Sequence, residues 1–168
     1  MSDDELLKQI KIGDENAAEE LIKRYYTSIL RYCRRHCFNL EKAEDLTQET
    51  FFRLFRTLSQ YDGKKFKAYL YTIAKHLCID ESRKVPCYIL ELGDNKYLAK
   101  ECNEIIQIED REKINYLLRN LSPEQKEAIL LRFEEELTYL EIAKVTGCSM
   151  RTAQSRVRSG LKIMRKEK

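Results

Sequence analysis

Apolar side chains recur along most of this chain at three- and four-residue steps, the period of a helix that buries one face. Residues 3–11 read as a short helix closed by Gly13, and Asp14 stands where it can cap a long helix running to about Cys37. The stripe of that long helix is Ala18, Leu21, Ile22, Tyr25, Ile29 and the pair Tyr32 and Cys33. Asn39 can cap a third helix over 41–58, with Ala43, Leu46, Thr50, Leu54 and Leu58 along one side. Tyr61 to Lys65 reads as a turn. A fourth helix over 66–84 turns Leu70, Ile73, Ala74 and Leu77 inward, and Pro86 opposes its continuation. Four helices with short links predict a compact bundle.

Beyond residue 85 the pattern weakens, and Pro86, Gly93, Asp94 and Asn95 break it. Helical spacing returns over 105–121. Ser122, Pro123 and Gln125 then form a strong start signal: a cap, a proline at the first helical position and the closing residue of a capping box. Thr138 and Glu141 make a second capping box, Gly147 ends that helix, and Ser149 can cap the next. The expectation is an all-α chain of two helical domains, 1–85 and 109–168, joined by a flexible linker over 86–108.

Composition agrees with helices and removes other classes. The 168 residues are 43% apolar and 35% charged, with five Gly and two Pro. That is too few breakers for a sandwich or barrel, and no apolar run approaches the ~18 residues of a membrane span. The acidic start, Ser2 to Glu5, is unlike a secretory signal, so a cytoplasmic protein without membrane insertion is expected. The six cysteines then read as free thiols. Cys33 and Cys37 share a helix face, but no second pair lies at metal spacing, so packing is the preferred reading and no metal or cofactor is expected. Net charge is only +3, yet residues 150–168 carry seven basic side chains against one Glu. The C-terminal end is therefore biased towards an anion.

The two helices on either side of Gly147 have the spacing of a helix-turn-helix, with small Ala143 where they would cross. The N-terminal turns of the second present Arg151, Thr152, Gln154, Ser155 and Arg158, all able to contact phosphates or base edges. A helix of that diameter fits the major groove.

Four segments in order resemble a bacterial RNA polymerase sigma factor of the extracytoplasmic-function group, within the sigma-70 family. The run from Ala43 to Phe51 is similar to region 2.2, Phe66 to Ala74 to region 2.3, Leu121 to Gln125 to the opening of region 4, and Glu141 to Ala143 with Ser155 to Val157 to its helix-turn-helix. The resemblance implies a dissociable polymerase subunit that binds core enzyme, directs it to promoters and helps to open the DNA. It implies partners: core RNA polymerase, through the coiled coil of its largest subunit and its flap region, promoter DNA, and an anti-sigma factor that occludes polymerase-binding surfaces. It assigns Asp45, Gln48, Glu49 and Phe52 to the polymerase. It assigns Tyr61, Lys64, Lys65, Lys75, Asp80, Arg83 and Lys84 to the minus-ten element, and Arg151, Thr152, Gln154, Ser155 and Arg158 to the minus-thirty-five element. Tyr69 stands where Trp is frequent in the family, and Gly160 interrupts the last helix, where it implies close packing or fraying.

Enzymatic readings find no support, since no Gly-rich phosphate loop, nucleophile elbow or His-Glu-x-x-His occurs and the chain has two histidines. The rival is a helix-turn-helix regulator that binds a palindromic site as a dimer without core polymerase.

Overall fold

The computed structural model describes residues 1–37, 39–84 and 108–166, with 108–112 by backbone alone. The expected linker lies outside the described residues except for position 108. The chain divides into two compact units, Met1–Leu98 and Ala99–Lys168, and the described residues of both form helices and turns.

The first unit contains α1 (Asp3–Lys11), α2 (Glu15–His36), α3 (Leu40–Thr57), a single 3-10 turn (Leu58–Gln60) and α4 (Phe66–Lys84). Local chemistry sets the starts. Ser2 and Glu5 form a capping box, Asp14 accepts from the amides of Asn16 (2.9 Å) and Ala17 (3.3 Å), and Asn39 accepts from that of Lys42 (2.7 Å). Gly13, at φ 94°, makes the corner between α1 and α2, a conformation costly for any residue with a Cβ. Helices α2, α3 and α4 pack mutually around Leu21, Ile29, Leu54 and Leu70, none of which has any solvent exposure. α1 rests on α2 and the 3-10 turn, held by Arg24, which reaches Asp3 (2.7 Å), Glu20 (2.9 Å) and the carbonyl of Met1 (2.8 Å). Tyr25 donates to the same Asp3.

Three details of the expected stripes differ, the first being that Ile22 of α2 is half-exposed. Ala17, not Ala18, is the buried residue at the start of α2, because the cap at Asp14 sets the first turn. On α4 Ile73 is half-exposed, whereas Ala68, Tyr71 and Cys78 are buried, since α2 and α3 both cover this helix and widen its inner face.

The second unit runs α5 (Ile108–Leu118), α6 (Pro123–Phe133), α7 (Tyr139–Thr146) and α8 (Met150–Lys166). Both expected capping boxes form, at Ser122 with Gln125 and at Thr138 with Glu141. Gly147 takes φ 69° and lets the chain turn between α7 and α8, where the Cys148 amide donates to the Ala143 carbonyl. Arg132 closes the bend between α6 and α7 by donating to the Leu137 carbonyl (3.0 Å) while its guanidinium lies 4.9 Å from the Tyr139 ring centroid. The core joins Ala128, Leu131, Leu137, Ile142, Ala153 and Val157.

Gly160 lies inside α8, which continues to Lys166, so this glycine marks close packing and not fraying. A Cβ there would fall 2.5 Å from Ile129 Cδ1 of α6. One turn away Gln125, besides closing its capping box, donates to the Ser159 hydroxyl at 3.0 Å. Together these contacts set the rotation of α8 against α6. If so, Gly160→Ala and Ile129→Val are coupled: the second removes the methyl that blocks the first. We expect the double variant to be more stable than the sum of the single changes by about 1 kcal/mol in urea unfolding. Additive single effects would mean that the two helices do not touch here.

Candidate functional site

The outer face of α3 is a continuous surface strip. Ala43, Leu46, Thr47, Thr50, Phe51 and Leu54 turn inward, which leaves Asp45, Gln48 and Phe52 outside at three- and four-residue steps. Phe52 is 56% exposed and carries the Arg56 guanidinium 5.6 Å from its ring centroid. Glu49 is half-buried at the strip's edge and paired with Arg53 at 2.9 Å. The strip thus offers an exposed carboxylate among hydrogen-bonding groups and an aromatic ring. Arg56 was not singled out from the sequence, although its place four residues after Phe52 on the same helix could have found it.

A second surface comprises the turn before α4 and the outer side of that helix. Lys64 and Lys65 are exposed; the Lys64 amide donates to Asp62 at 3.0 Å, and Lys65 takes φ 57°, which turns the chain into α4. Asp80 and Arg83 lie together on the outer side, 3.9 Å apart. Lys75 is half-buried on another flank, about 140° around the helix from Asp80 at 100° per residue, so the two do not share a face. Lys84 turns towards Glu81 (3.5 Å), which is also paired with Lys42 at 2.9 Å. That Lys42 hydrogen bond holds the Glu81 carboxyl below its ordinary range and ties the start of α3 to the end of α4. His76, exposed four residues before Asp80, belongs with Asp80 and Arg83, although the sequence pattern did not separate it from its neighbours.

Tyr61 requires a correction. The resemblance assigns it to the minus-ten element, but its ring is 7% exposed, packed 5.0 Å from Tyr69 and 6.1 Å from Phe66. The turn needs an apolar anchor, and this ring supplies it. Its hydroxyl is buried without a hydrogen-bond partner. Tyr69 is half-exposed, with its hydroxyl engaged by Thr57.

The third surface is α8. Ala153, Val157 and Gly160 face inward, and opposite them Arg151, Ser155 and Arg158 form an exposed row. Lys162 extends this row by one turn and was missed because α8 was read only over its first turns. Thr152 and Gln154 flank it, half-exposed; the Thr152 hydroxyl is engaged with the Ser149 cap at 2.9 Å. Among the described residues no group of three or more His, Cys, Asp or Glu is arranged to hold a metal, and no helix is long and apolar enough to cross a membrane.

Residues 21–85 match the family described as sigma-70 region 2, and residues 111–164 match sigma-70 region 4. The chain is 31% identical to the RNA polymerase sigma factor YlaC of Bacillus subtilis over 80% of its own length and 82% of that protein. This chain belongs to the sigma-70 family of RNA polymerase sigma factors. Among its relatives is the ECF sigma factor SigW of Bacillus subtilis, 28% identical over 96% of this chain and 94% of that one. The solved structure of CnrH in complex with the cytosolic domain of CnrY shares the fold, with a TM-score of 0.71 at 21% identity, over 96% of this chain and 94% of that chain. So does the sigma factor RpoE, solved with the anti-sigma factor NepR from Bartonella quintana, with a TM-score of 0.65 at 22% identity, over 88% and 94% of the two chains.

Within this sigma factor the α3 strip and the α4 face lie in the region 2 match, and α8 lies in the region 4 match. One consequence of the Tyr61 placement is measurable. Burial first, then the nearby charges of Asp4, Asp62 and Asp3, push its phenol up to about 12. An unfolded tyrosine ionises near ~10, so stability present below that pH is lost as pH rises through about 10 to about 12. Tyr61→Phe removes both this loss and the orphaned hydroxyl. We expect the variant to be at least as stable as the natural chain near pH ~8 and more stable near pH ~11, as read from urea midpoints. A drop in stability near neutrality would mean that the hydroxyl has a partner.

Proposed function

We propose that this sigma factor acts by binding, as a dissociable subunit that grips core RNA polymerase through α3, holds the opened minus-ten region on α4 and its preceding turn, and reads the minus-thirty-five element through α8. The carrying observation is Phe52, 56% exposed between Asp45, Gln48 and Arg56 on a helix whose apolar face is otherwise buried. A ring left outside among polar groups suits a protein groove, in line with an interface on the largest-subunit coiled coil. The second unit would meet the flap region of the polymerase. A relative solved with an anti-sigma factor supports a similar inhibitory partner for this chain.

For the minus-ten element the contacts we assign are Lys64, Lys65, Asp80 and Arg83, with His76 added and Tyr61 removed. Cations at the turn hold the backbone, and Tyr69 is the ring nearest the surface for an unpaired base. Lys75 and Lys84 serve the same face only at its margins. On α8, Arg151 and Gln154 are assigned to base edges and Thr152, Ser155, Arg158 and Lys162 to phosphates. Tethering two weak readers in one chain raises the effective concentration of each at the promoter.

The direct test is reconstitution with bacterial core polymerase on fragmented genomic DNA, followed by mapping of transcript starts. New starts that share two upstream motifs at fixed spacing are expected; DNA binding by the chain alone as a dimer, with no new starts, would support a regulator instead. Two variants separate the surfaces. Asp45→Arg with Phe52→Ala should reduce core binding by about a hundredfold, as loss of a central interface ring and charge warrants, with helix content unchanged. Arg151→Ala should weaken promoter-specific transcription by about tenfold, within the range of one base contact, and leave core binding intact. Parallel loss of both readouts in Arg151→Ala would identify a folding residue instead.

A further inference from the structure

Three cysteines of the first unit meet where α2, α3 and α4 pack. Cys33 and Cys37 are one turn apart on α2, and Cys78 is on α4, with exposures of 0%, 8% and 3%. The register of the helices brings them together. α2 and α4 run side by side in the same direction, with Tyr25 edge-on to Phe66 and, further along both, Tyr32 edge-on to Tyr71, each pair 5.5 Å between centroids. Continuing along both helices reaches Cys33 and Cys37 on one and Cys78 on the other. Cys78 lies close enough to both for each to influence its ionisation, and the Thr47 hydroxyl of α3 does the same for Cys33. All three are free thiols.

The three positions are not equivalent. Cys33 is fully buried and held within α2. Cys37 is the least buried, and as the C-cap it has extended backbone (φ −127°, ψ 153°), outside the helical ladder that would restrain its sulfur. Cys78 is held as the neutral thiol by its contacts with Cys33 and Cys37 and by burial.

We propose that Cys37 and Cys78 are a redox pair: a hydroperoxide oxidises Cys37, and Cys78 then closes a disulfide that locks the end of α2 to α4. In the first step the Cys37 sulfur takes one oxygen to become a sulfenic acid, and hydrogen peroxide leaves as water. In the second the Cys78 sulfur attacks that sulfur, the S–O bond breaks, and the hydroxyl departs as a second water with the Cys78 proton. The protein loses two electrons and the peroxide gains them. Closing the bond holds the two sulfurs at about 2 Å, so the end of α2 shifts against the helix that carries His76, Asp80 and Arg83. The effect on transcription rests on the function proposed above; the chemistry does not.

The test uses the full chain with Cys87→Ser, Cys102→Ser and Cys148→Ser, reduced, exposed to hydrogen peroxide, then unfolded, alkylated and mapped by mass without reduction. The expected product is a linked pair of peptides containing Cys37 and Cys78, two hydrogens lighter, reversed by dithiothreitol and absent from Cys37→Ser and from Cys78→Ala. Cys37→Ser, at the edge of the cluster, keeps the test valid if Cys78→Ala fails to fold, with circular dichroism as the check. Alkylation of both thiols after treatment, oxidation to sulfinic acid without a link, or a link between Cys33 and Cys78 would each overturn the pairing. With core polymerase, the linked chain should give several-fold fewer promoter-specific transcripts, recovered with dithiothreitol, whereas Cys37→Ser should not respond. Equal transcription from linked and reduced chains overturns the switch. No promoter-specific transcription in either state counts against the proposed function and leaves the mapped disulfide standing.

Discussion

The rotation of each long helix about its own axis is the constraint on which this molecule depends. In the first unit it is set by a shared apolar seam, where Leu21, Ile29, Leu54 and Leu70 meet without solvent. Burying a side chain of this size contributes about 1.5–3 kcal/mol, so turning α3 by even a quarter of a revolution would move Leu54, and with it Leu46 and Phe51, out of the seam. With the seam in place, Asp45, Gln48 and Phe52 have no choice but to face outward. The same seam turns Asp80 and Arg83 outward on α4. The proposed binding surfaces are the reverse side of core packing.

The second unit reaches the same end with less apolar material. Its helices are short, and two capping boxes, a left-handed glycine and an arginine bridging the α6–α7 bend satisfy their ends. α8 is then fixed against α6 by steric fit, since Gly160 admits Ile129 where any larger residue would hold the helices apart. Gln125 shows how tightly the parts are linked: one side chain closes the cap of α6 and also holds Ser159 of α8. The exposed row from Arg151 to Lys162 depends on that fit.

Polar groups within the first core follow a local rule. Thr47 and Thr50 are fully buried, and each hydroxyl donates at 2.7 Å to the carbonyl four residues earlier in its own helix, to Ala43 and Leu46. α3 can therefore present threonines to α2 and α4 without requiring partners there. Tyr25 looks further, to Asp3 of α1, and among the described residues the buried hydroxyl of Tyr61 meets no partner, its ring being held by Phe66 and Tyr69.

Much of this was legible from the chain alone because it depends on neighbours in sequence. Periodicity located the helices, Asp14, Asn39, Ser122, Thr138 and Gly147 marked their ends, and the opposite faces of α3 and α8 followed from the buried ones. The family's four motifs were readable in order for the same reason. What depends on distant residues was not. Tyr61 looked like a ring beside lysines until Phe66 and Tyr69 enclosed it. Lys75 and Asp80 looked like parts of one surface until packing against α2 and α3 fixed which side of α4 faces outward, with Asp80 exposed on it and Lys75 half-buried at its edge. Gly160 was ambiguous until Ile129 stood opposite, and Cys78 gave no sign of Cys37, forty-one positions earlier. Helix period and capping act within a few residues, whereas burial, pairing and thiol contact are decided by which helices meet.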